Sequence, residues 1–114
     1  MLKLSIVFFT TILLSSQALA HTQLTSSVPE NGSIVTNAPK ELILTFENDI
    51  RLTKVILTQK GVDTTKLKLD KKIKFQTNYR FILDDMNNGD YSVEWRGLGE
   101  DGHVMKGTLT YSVK

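Results

Sequence analysis

Hydrophobic and polar residues alternate along most of the chain beyond residue 40. Every second residue is apolar from Leu42 to Phe46 in ELILTFEND and from Tyr91 to Trp95 in DYSVEW. This two-residue period is typical of β-strands with one buried face, and it predicts that Trp95 fills the core and is not an exposed ligand platform. TKVILTQKG, YRFILDD and GTLTYSVK are three further strand-like segments. With no helical period of useful length after residue 20, the pattern predicts an all-β sandwich or barrel.

The first twenty residues have a different pattern. Lys3 precedes the apolar run LSIVFFTTILL, and Ala18-Leu19-Ala20 follows as a small-x-small sequence. A positive start, an apolar run and small residues behind it are the features of a cleaved secretory signal, although an uncleaved anchor is the alternative. We expect residues 1–20 to be a signal peptide cleaved after Ala20, which leaves residues 21–114 as one domain with His21 at its N-terminus.

Composition excludes several kinds of chemistry. The chain has no cysteine, so it contains no disulfide, no thiolate metal site and no cysteine nucleophile. All twelve acidic residues and all fourteen basic residues except Lys3 lie after residue 20, so this part carries a formal charge of +1. This balance argues against nucleic acid or another large polyanion as a partner, and we expect a monomer.

Lysines are concentrated in one segment, KLKLDKKIK, which runs from Lys66 to Lys74. Lysines and apolar residues alternate there on both sides of Asp70–Lys72, which predicts two half-buried strands joined by a polar turn. A patch that binds anions or a membrane surface is one interpretation. We favour an edge hairpin in which lysines prevent pairing with another sheet.

Two histidines, His21 and His103, are the main candidates for chemistry. An N-terminal histidine offers its α-amine and ring Nδ1 to one metal ion in a six-membered chelate ring. Asp101 and His103 are two residues apart, so an extended segment would place their side chains on one face, and Gly102 leaves room for a close approach. The set provides three nitrogens and one carboxylate oxygen, which favours tetragonal Cu(II), with zinc as the main competitor.

The same segments resemble the CopC family of small periplasmic copper-binding proteins. HTQLTSSVPENGS is similar to the opening of that family, ELILTFEND to its first long strand, and GDYSVEWRGLGEDGHVMKGTLTYSV to its C-terminal block. The resemblance implies an Ig-like or cupredoxin-like Greek-key β-barrel of about seven strands. It also implies one Cu(II) per chain held by His21, Asp101 and His103, a role in copper resistance, homeostasis or delivery, and a CopD-type inner-membrane transporter as partner.

The chain departs from this family in two respects. Some members have a loop rich in methionine and histidine that binds Cu(I), whereas Met86 and Met105 are far apart here, and we expect both to be packing residues. Glu100 replaces a serine that is usual in the family, and we expect it to face solvent. Two other function classes stay open: a copper-dependent oxidative enzyme of histidine-brace type, and a metal-free adhesive module.

Overall fold

The computed structural model describes residues 24–62, 64–69, 74–84 and 86–114. Its regular structure consists of β-strands, with turns and loops between them. The strands are β1 Leu24–Val28, β2 Ser33–Val35, β3 Glu41–Gln59, β4 Thr64–Lys66, β5 Gln76–Ile82, β6 Gly89–Gly99 and β7 Val104–Val113. The predictions of an all-β fold and of about seven strands are confirmed.

One curled sheet contains all seven strands: β1, β4, β5 and β6 each pair with β3, β6 also pairs with β7, and β7 pairs with β2. Every pairing is antiparallel except that of β2 with β7. Over the part of the chain that the structure describes, no helix has the length and apolar character needed to cross a membrane.

Strand β3 joins two segments whose patterns predicted separate strands. Its buried positions fall on even numbers from Leu42 to Leu52 and on odd numbers at Val55 and Leu57. A β-bulge between Leu52 and Lys54 causes this change of phase, because one extra residue turns the following side chains to the other face. The strand therefore keeps its apolar side inward along its whole length.

Tyr79 of β5 forms hydrogen bonds to β3 near Ile50, where the pairing of β3 with β6 begins. The Tyr79 hydroxyl donates a hydrogen bond to the Ile50 carbonyl and accepts one from the Leu52 N–H at 3.3 Å. Burial raises the pKa of Tyr79, so the hydroxyl stays protonated and can donate. These bonds fix Ile50, which pairs with the end of β6.

Aromatic rings from β3 and β6 pack against each other in the core. The rings of Phe46 on β3 and Trp95 on β6 meet edge to face, with centroids 4.9 Å apart and planes at 77°. Trp95 is 6% exposed, so its predicted core position is confirmed. Gly107 on β7 lies against the indole, because a Cβ added there would be 2.6 Å from Trp95 Cζ2.

The lysine-rich segment does not form the predicted edge hairpin. Strand β4 pairs with Ile56–Thr58 of β3, whereas β5 pairs with β3 between Glu41 and Ile50. The long strand β3 thus offers each of them a separate stretch of edge, and the chain between them crosses from one to the other. Leu67 and Leu69 pack against the core outside any strand, and residues 70–73, where the turn was predicted, lie outside the described residues.

Candidate metal centre

The turn between β6 and β7 contains two of the predicted ligands. Two backbone hydrogen bonds close it, from Gly99 N–H to the His103 carbonyl and from Gly102 N–H to the Gly99 carbonyl, each 2.9 Å long. Gly102 has φ +82°, a left-handed conformation that glycine adopts without steric cost. The prediction that Asp101 and His103 lie on an extended segment is therefore wrong. Gly102 allows the chain to turn between them, because it adopts the left-handed backbone conformation that the turn requires.

The turn nevertheless brings the two side chains together. Asp101 Oδ2 lies 2.8 Å from His103 Nδ1, and Asp101 Oδ1 accepts a 3.1 Å hydrogen bond from the His103 backbone N–H. The side chains remain open to solvent, at 77% exposed for His103 and 47% for Asp101. The carboxylate thus fixes the imidazole while leaving it accessible.

Electrostatics support an ionised carboxylate at this position. The hydrogen bond from the His103 backbone N–H is the main cause that lowers the pKa of Asp101, and the imidazole contributes further. When the Nδ1–H of a neutral imidazole donates a hydrogen bond to a carboxylate, Nε2 carries no hydrogen and keeps a free lone pair. This arrangement is the one that orients metal-binding histidines in many proteins, and Nε2 of His103 is the nitrogen it makes available.

Gly99 is part of this arrangement, although the sequence analysis did not select it. A Cβ added at Gly99 would lie 2.9 Å from Asp101 Oδ1 and 3.4 Å from Met105 Sδ. The carboxylate therefore occupies the space that any other residue at position 99 would need. The only sequence signal was a glycine two residues before an aspartate, which in a strand suggests a close approach but does not say to what.

Strand register shows which other segment lies near this turn. Leu44 of β3 has β1 on one side and β5 on the other, and Ile50 has β5 on one side and β6 on the other. Strands β1 and β6 therefore lie on the same side of β3. Leu24, where β1 begins, is opposite Phe46, and Gly99, where β6 ends, is opposite Ile50, four residues further along.

His21 lies outside the described residues, so the structure does not place it relative to Asp101 and His103. Within the described residues, no group of three histidine, aspartate or glutamate side chains could hold a metal ion. Glu100 is exposed, as expected. Met105 is buried and Met86 packs against the core, which agrees with their predicted packing roles.

Comparison with known proteins assigns the chain to a family. The sequence profile of the CopC domain matches residues 24–114. The chain belongs to the CopC domain family. It is 30% identical over 117 residues to protein YobA of Escherichia coli strain K12, a match that covers 99% of this chain and 94% of YobA. It is also 28% identical over 107 residues to copper resistance protein C of Escherichia coli, covering 85% of this chain and 84% of the relative.

Solved structures show the same CopC fold. CopC from Methylosinus trichosporium OB3b superposes with a TM-score of 0.70 over 82% of this chain and 94% of that protein, at 19% identity. PcoC, a methionine-rich copper resistance protein from Escherichia coli, superposes with a TM-score of 0.59 over 83% of this chain and all of PcoC, at 28% identity. The resemblance to the CopC family that was stated from the sequence is confirmed.

Proposed function

We propose that this CopC-domain protein binds one Cu(II) ion per chain outside the cytoplasm and serves copper resistance, homeostasis or delivery. The sequence match to copper resistance protein C and the structural match to PcoC, which is described as a copper resistance protein, each cover more than four fifths of this chain. Copper is cargo in this proposal, so no catalytic role is assigned to it. The proposed ligands are His21, Asp101 and His103.

The observation that carries the proposal is that β1 begins on the side of β3 where β6 ends. Four residues of β3, from Phe46 to Ile50, span about 13 Å. His21 precedes Leu24 by three residues, which can extend by about 10 Å before the side chain is counted. Because β1 runs antiparallel to β3, its N-terminal end is directed along β3 toward Ile50 and Gly99. The direction of β1 and this reach support His21 as a ligand beside the turn.

Ligand chemistry favours Cu(II) in such a site. Cleavage after Ala20 would give His21 a free α-amine, which can chelate a metal ion together with ring Nδ1. His103 contributes Nε2, the nitrogen that its bond to Asp101 leaves available. A carboxylate bonded to Nδ1 lies on the far side of the imidazole from a metal ion on Nε2, so the exposed Asp101 side chain would turn away from Nδ1 to provide the oxygen ligand. Three nitrogens and one oxygen suit a tetragonal Cu(II) ion better than tetrahedral zinc.

The predicted signal peptide supports a location in the periplasm, where a CopD-type inner-membrane transporter is the proposed partner. Residues 1–20 lie outside the described residues, so this part of the proposal depends on the sequence. The chain has three methionines, one of which is Met1, so it has no methionine-rich segment of the kind that PcoC is named for. The proposal therefore includes a Cu(II) site and no separate Cu(I) site.

A comparison of two N-termini tests the proposal. Protein that begins at His21 is compared with protein that carries Gly-Ser ahead of His21, because the added residues convert the amine into an amide, which is a poor donor. We expect the extended protein to bind Cu(II) at least about 100-fold more weakly in a competition titration, since loss of a partner outside the ligand set already costs about 10–100-fold. Electron paramagnetic resonance at one equivalent should show nitrogen coupling in the protein that begins at His21.

His103→Ala is the matched variant at the other end of the site. It should also weaken Cu(II) binding, and its metal-free melting temperature should stay unchanged because the side chain is 77% exposed. Equal Cu(II) affinity for the two N-termini would show that the amine is not a ligand. Equal affinity for His103→Ala and the parent would remove the β6–β7 turn from the site.

A further inference from the structure

Three basic side chains lie side by side on the outer face of the sheet. Lys54 of β3 is directly opposite Arg96 of β6, and Arg96 is directly opposite Lys106 of β7. All three are exposed, whereas their chain neighbours Val55 and Trp95 are buried. The cations therefore form a row across three strands, which we call the basic row, and it points away from the core.

Like charges in this arrangement repel one another. Side chains directly opposite on neighbouring antiparallel strands have Cβ atoms about 4.5–5.5 Å apart, and like charges at such positions destabilise a sheet. The two ion pairs among the described residues are Arg80–Glu41 and His103–Asp101, so neither involves the basic row. Within the described part of the chain, no carboxylate forms an ion pair with the row, although Glu94 lies two residues from Arg96 on the same face of β6.

The basic row borders a recess, and the surface around it is not flat. The recess has a volume of about 420 Å³, and the three cations line it together with Ile56 and Glu94. Its lining thus combines three positive charges, one negative charge and an apolar side chain. A protruding segment of another molecule can fill such a recess, whereas a flat bilayer surface would contact mainly the tips of the side chains.

The surface continues from the basic row to the candidate metal centre. Arg51 of β3, Leu98 of β6 and Val104 of β7 form the next set of opposite residues toward the turn. Arg51 adds a fourth cation, and Val104 exposes 65% of an apolar residue directly after His103. A molecule docked along this face would lie beside the turn that contains Asp101 and His103.

We propose that the outer face of β3, β6 and β7 docks an acidic segment of a partner protein, with the basic row of Lys54, Arg96 and Lys106 as its anchor. The argument is charge complementarity: the row is a concentrated positive site on a domain whose formal charge after residue 20 is only +1. Carboxylates placed in the recess would relieve the repulsion among the three cations. A role for this partner in exchanging copper would rest on the proposed function. The docking proposal itself does not depend on copper.

The test uses an acidic peptide as the probe and copper-free protein. Fluorescence anisotropy measures the binding of labelled octaglutamate at low salt, where exposed charges are least screened. We expect binding that weakens as salt is added. The triple variant Lys54→Gln, Arg96→Gln, Lys106→Gln should bind the peptide about tenfold more weakly, as expected for the loss of three exposed ion pairs.

A matched control separates this face from net charge. The triple variant Lys40→Gln, Lys74→Gln, Lys114→Gln removes the same charge from exposed positions before β3, before β5 and after β7. It should bind octaglutamate with an affinity close to that of the parent protein. Equal weakening in the two triple variants would show that only overall charge matters, and it would overturn the proposal.

A single charge reversal excludes misfolding as the cause of lost binding. Lys106→Glu places a carboxylate directly opposite Arg96, so repulsion is replaced by attraction. We expect a higher melting temperature together with about tenfold weaker peptide binding. Lower stability, or unchanged peptide binding, would contradict the role given to the basic row.

Vesicles provide the remaining comparison. Vesicles of equal parts phosphatidylglycerol and phosphatidylcholine are offered to the same proteins at the same salt concentration. Binding to these vesicles that depends on the basic row, without octaglutamate binding, would assign the face to a membrane and overturn the proposal. Copper affinity is measured separately on each variant, so a failure of the proposed copper function leaves the docking result interpretable.

Discussion

Among the glycines of the β6–β7 hairpin, Gly107 and Gly99 leave space for two different kinds of neighbour. At Gly107 an added Cβ would meet the indole of Trp95, which is buried, at 2.6 Å. At Gly99 it would meet Asp101 Oδ1 at 2.9 Å, and the Asp101 side chain is 47% exposed. One glycine therefore makes room for a rigid ring in the core, and the other for a movable carboxylate in the turn.

This difference separates the energetic roles of the two regions. The region around Trp95 is held by close packing, so a change of volume there should alter the free energy of unfolding. In the turn, the Asp101–His103 contact joins two exposed side chains, and exposed pairs contribute little to stability. The same hairpin can therefore tolerate changes in the turn that affect binding and not folding.

The largest expected effect is that of Trp95→Ala on stability. Removing the buried indole, which packs against Phe46 and Gly107, should lower the free energy of unfolding by about 3–5 kcal/mol. Urea denaturation followed by circular dichroism measures this change. His103→Ala, in the same hairpin, is the control and should change stability by less than about 0.5 kcal/mol. Similar losses in the two variants would contradict the division between core and turn.

Gly107→Ala should lower the free energy of unfolding by about 1–3 kcal/mol, because the added methyl group overpacks the core against the indole. The clash can be tested in the Trp95→Ala background, where the ring is gone. There, Gly107→Ala should cost nothing or stabilise the strand slightly, since alanine loses less entropy than glycine. Additive effects in the double variant would mean that the methyl group and the ring do not interact.

Gly99→Ala should have the opposite profile. The methyl group would push the exposed Asp101 carboxylate away from His103 at little cost to the fold, so the melting temperature should change little. Under the proposed function, Cu(II) affinity should fall by about tenfold, as when a partner that orients a ligand is lost. A competition titration measures the affinity. A large loss of stability with unchanged copper binding would reverse the roles assigned to Gly99 and Gly107.

Much of the core could be predicted from the sequence because it depends on a simple period. Alternation placed Leu42, Leu44, Tyr91, Val93 and Trp95 on buried faces, and each of them is buried in the structure. The union of two segments into β3 could not be predicted in this way. A bulge shifts the phase by one residue, and the resulting pattern is also that of two separate strands.

The lysine-rich segment shows a second limit of local patterns. Its alternation agrees with a hairpin, but β4 and β5 each pair with a different part of β3. The choice of partner depends on which sheet edges the rest of the fold leaves open, and this information is not contained in nine residues. The pattern identified Leu67 and Leu69 as core-facing, and they do pack against the core.

For the candidate metal centre, residue types were a better guide than geometry. The rarity of histidine selected His103, and its neighbour Asp101 is indeed in contact with it. The extended geometry expected for the pair was wrong, because Asp-Gly forms a turn here with Gly102 at positive φ. Gly99 could not be selected, since its role depends on a carboxylate that returns toward it only in the folded turn.

The smallest expected effect comes from a polar atom in the core. The Tyr111 hydroxyl is buried and has no hydrogen-bond partner among the described residues, whereas the hydroxyl of Tyr91, which stacks on Tyr111, donates to the Asn87 carbonyl. Tyr111→Phe should therefore leave stability at pH 7 unchanged or raise it by up to about 1 kcal/mol, because a buried unpaired hydroxyl is removed. Tyr91→Phe, which removes a bonded hydroxyl, should lower stability by about 1 kcal/mol.

The pH dependence of Tyr111→Phe gives the sharper measurement. Burial raises the pKa of Tyr111, so the folded state keeps this proton at a pH where the unfolded chain loses it. The stabilisation is complete below the unfolded pKa of about 10 and is lost as the pH rises above it. Urea denaturation at pH 7 and at pH 10.5 should thus show a smaller alkaline loss of stability for Tyr111→Phe than for the parent, while Tyr79, present in both, contributes equally. Identical losses would mean that Tyr111 ionises as readily in the folded core as in the unfolded chain.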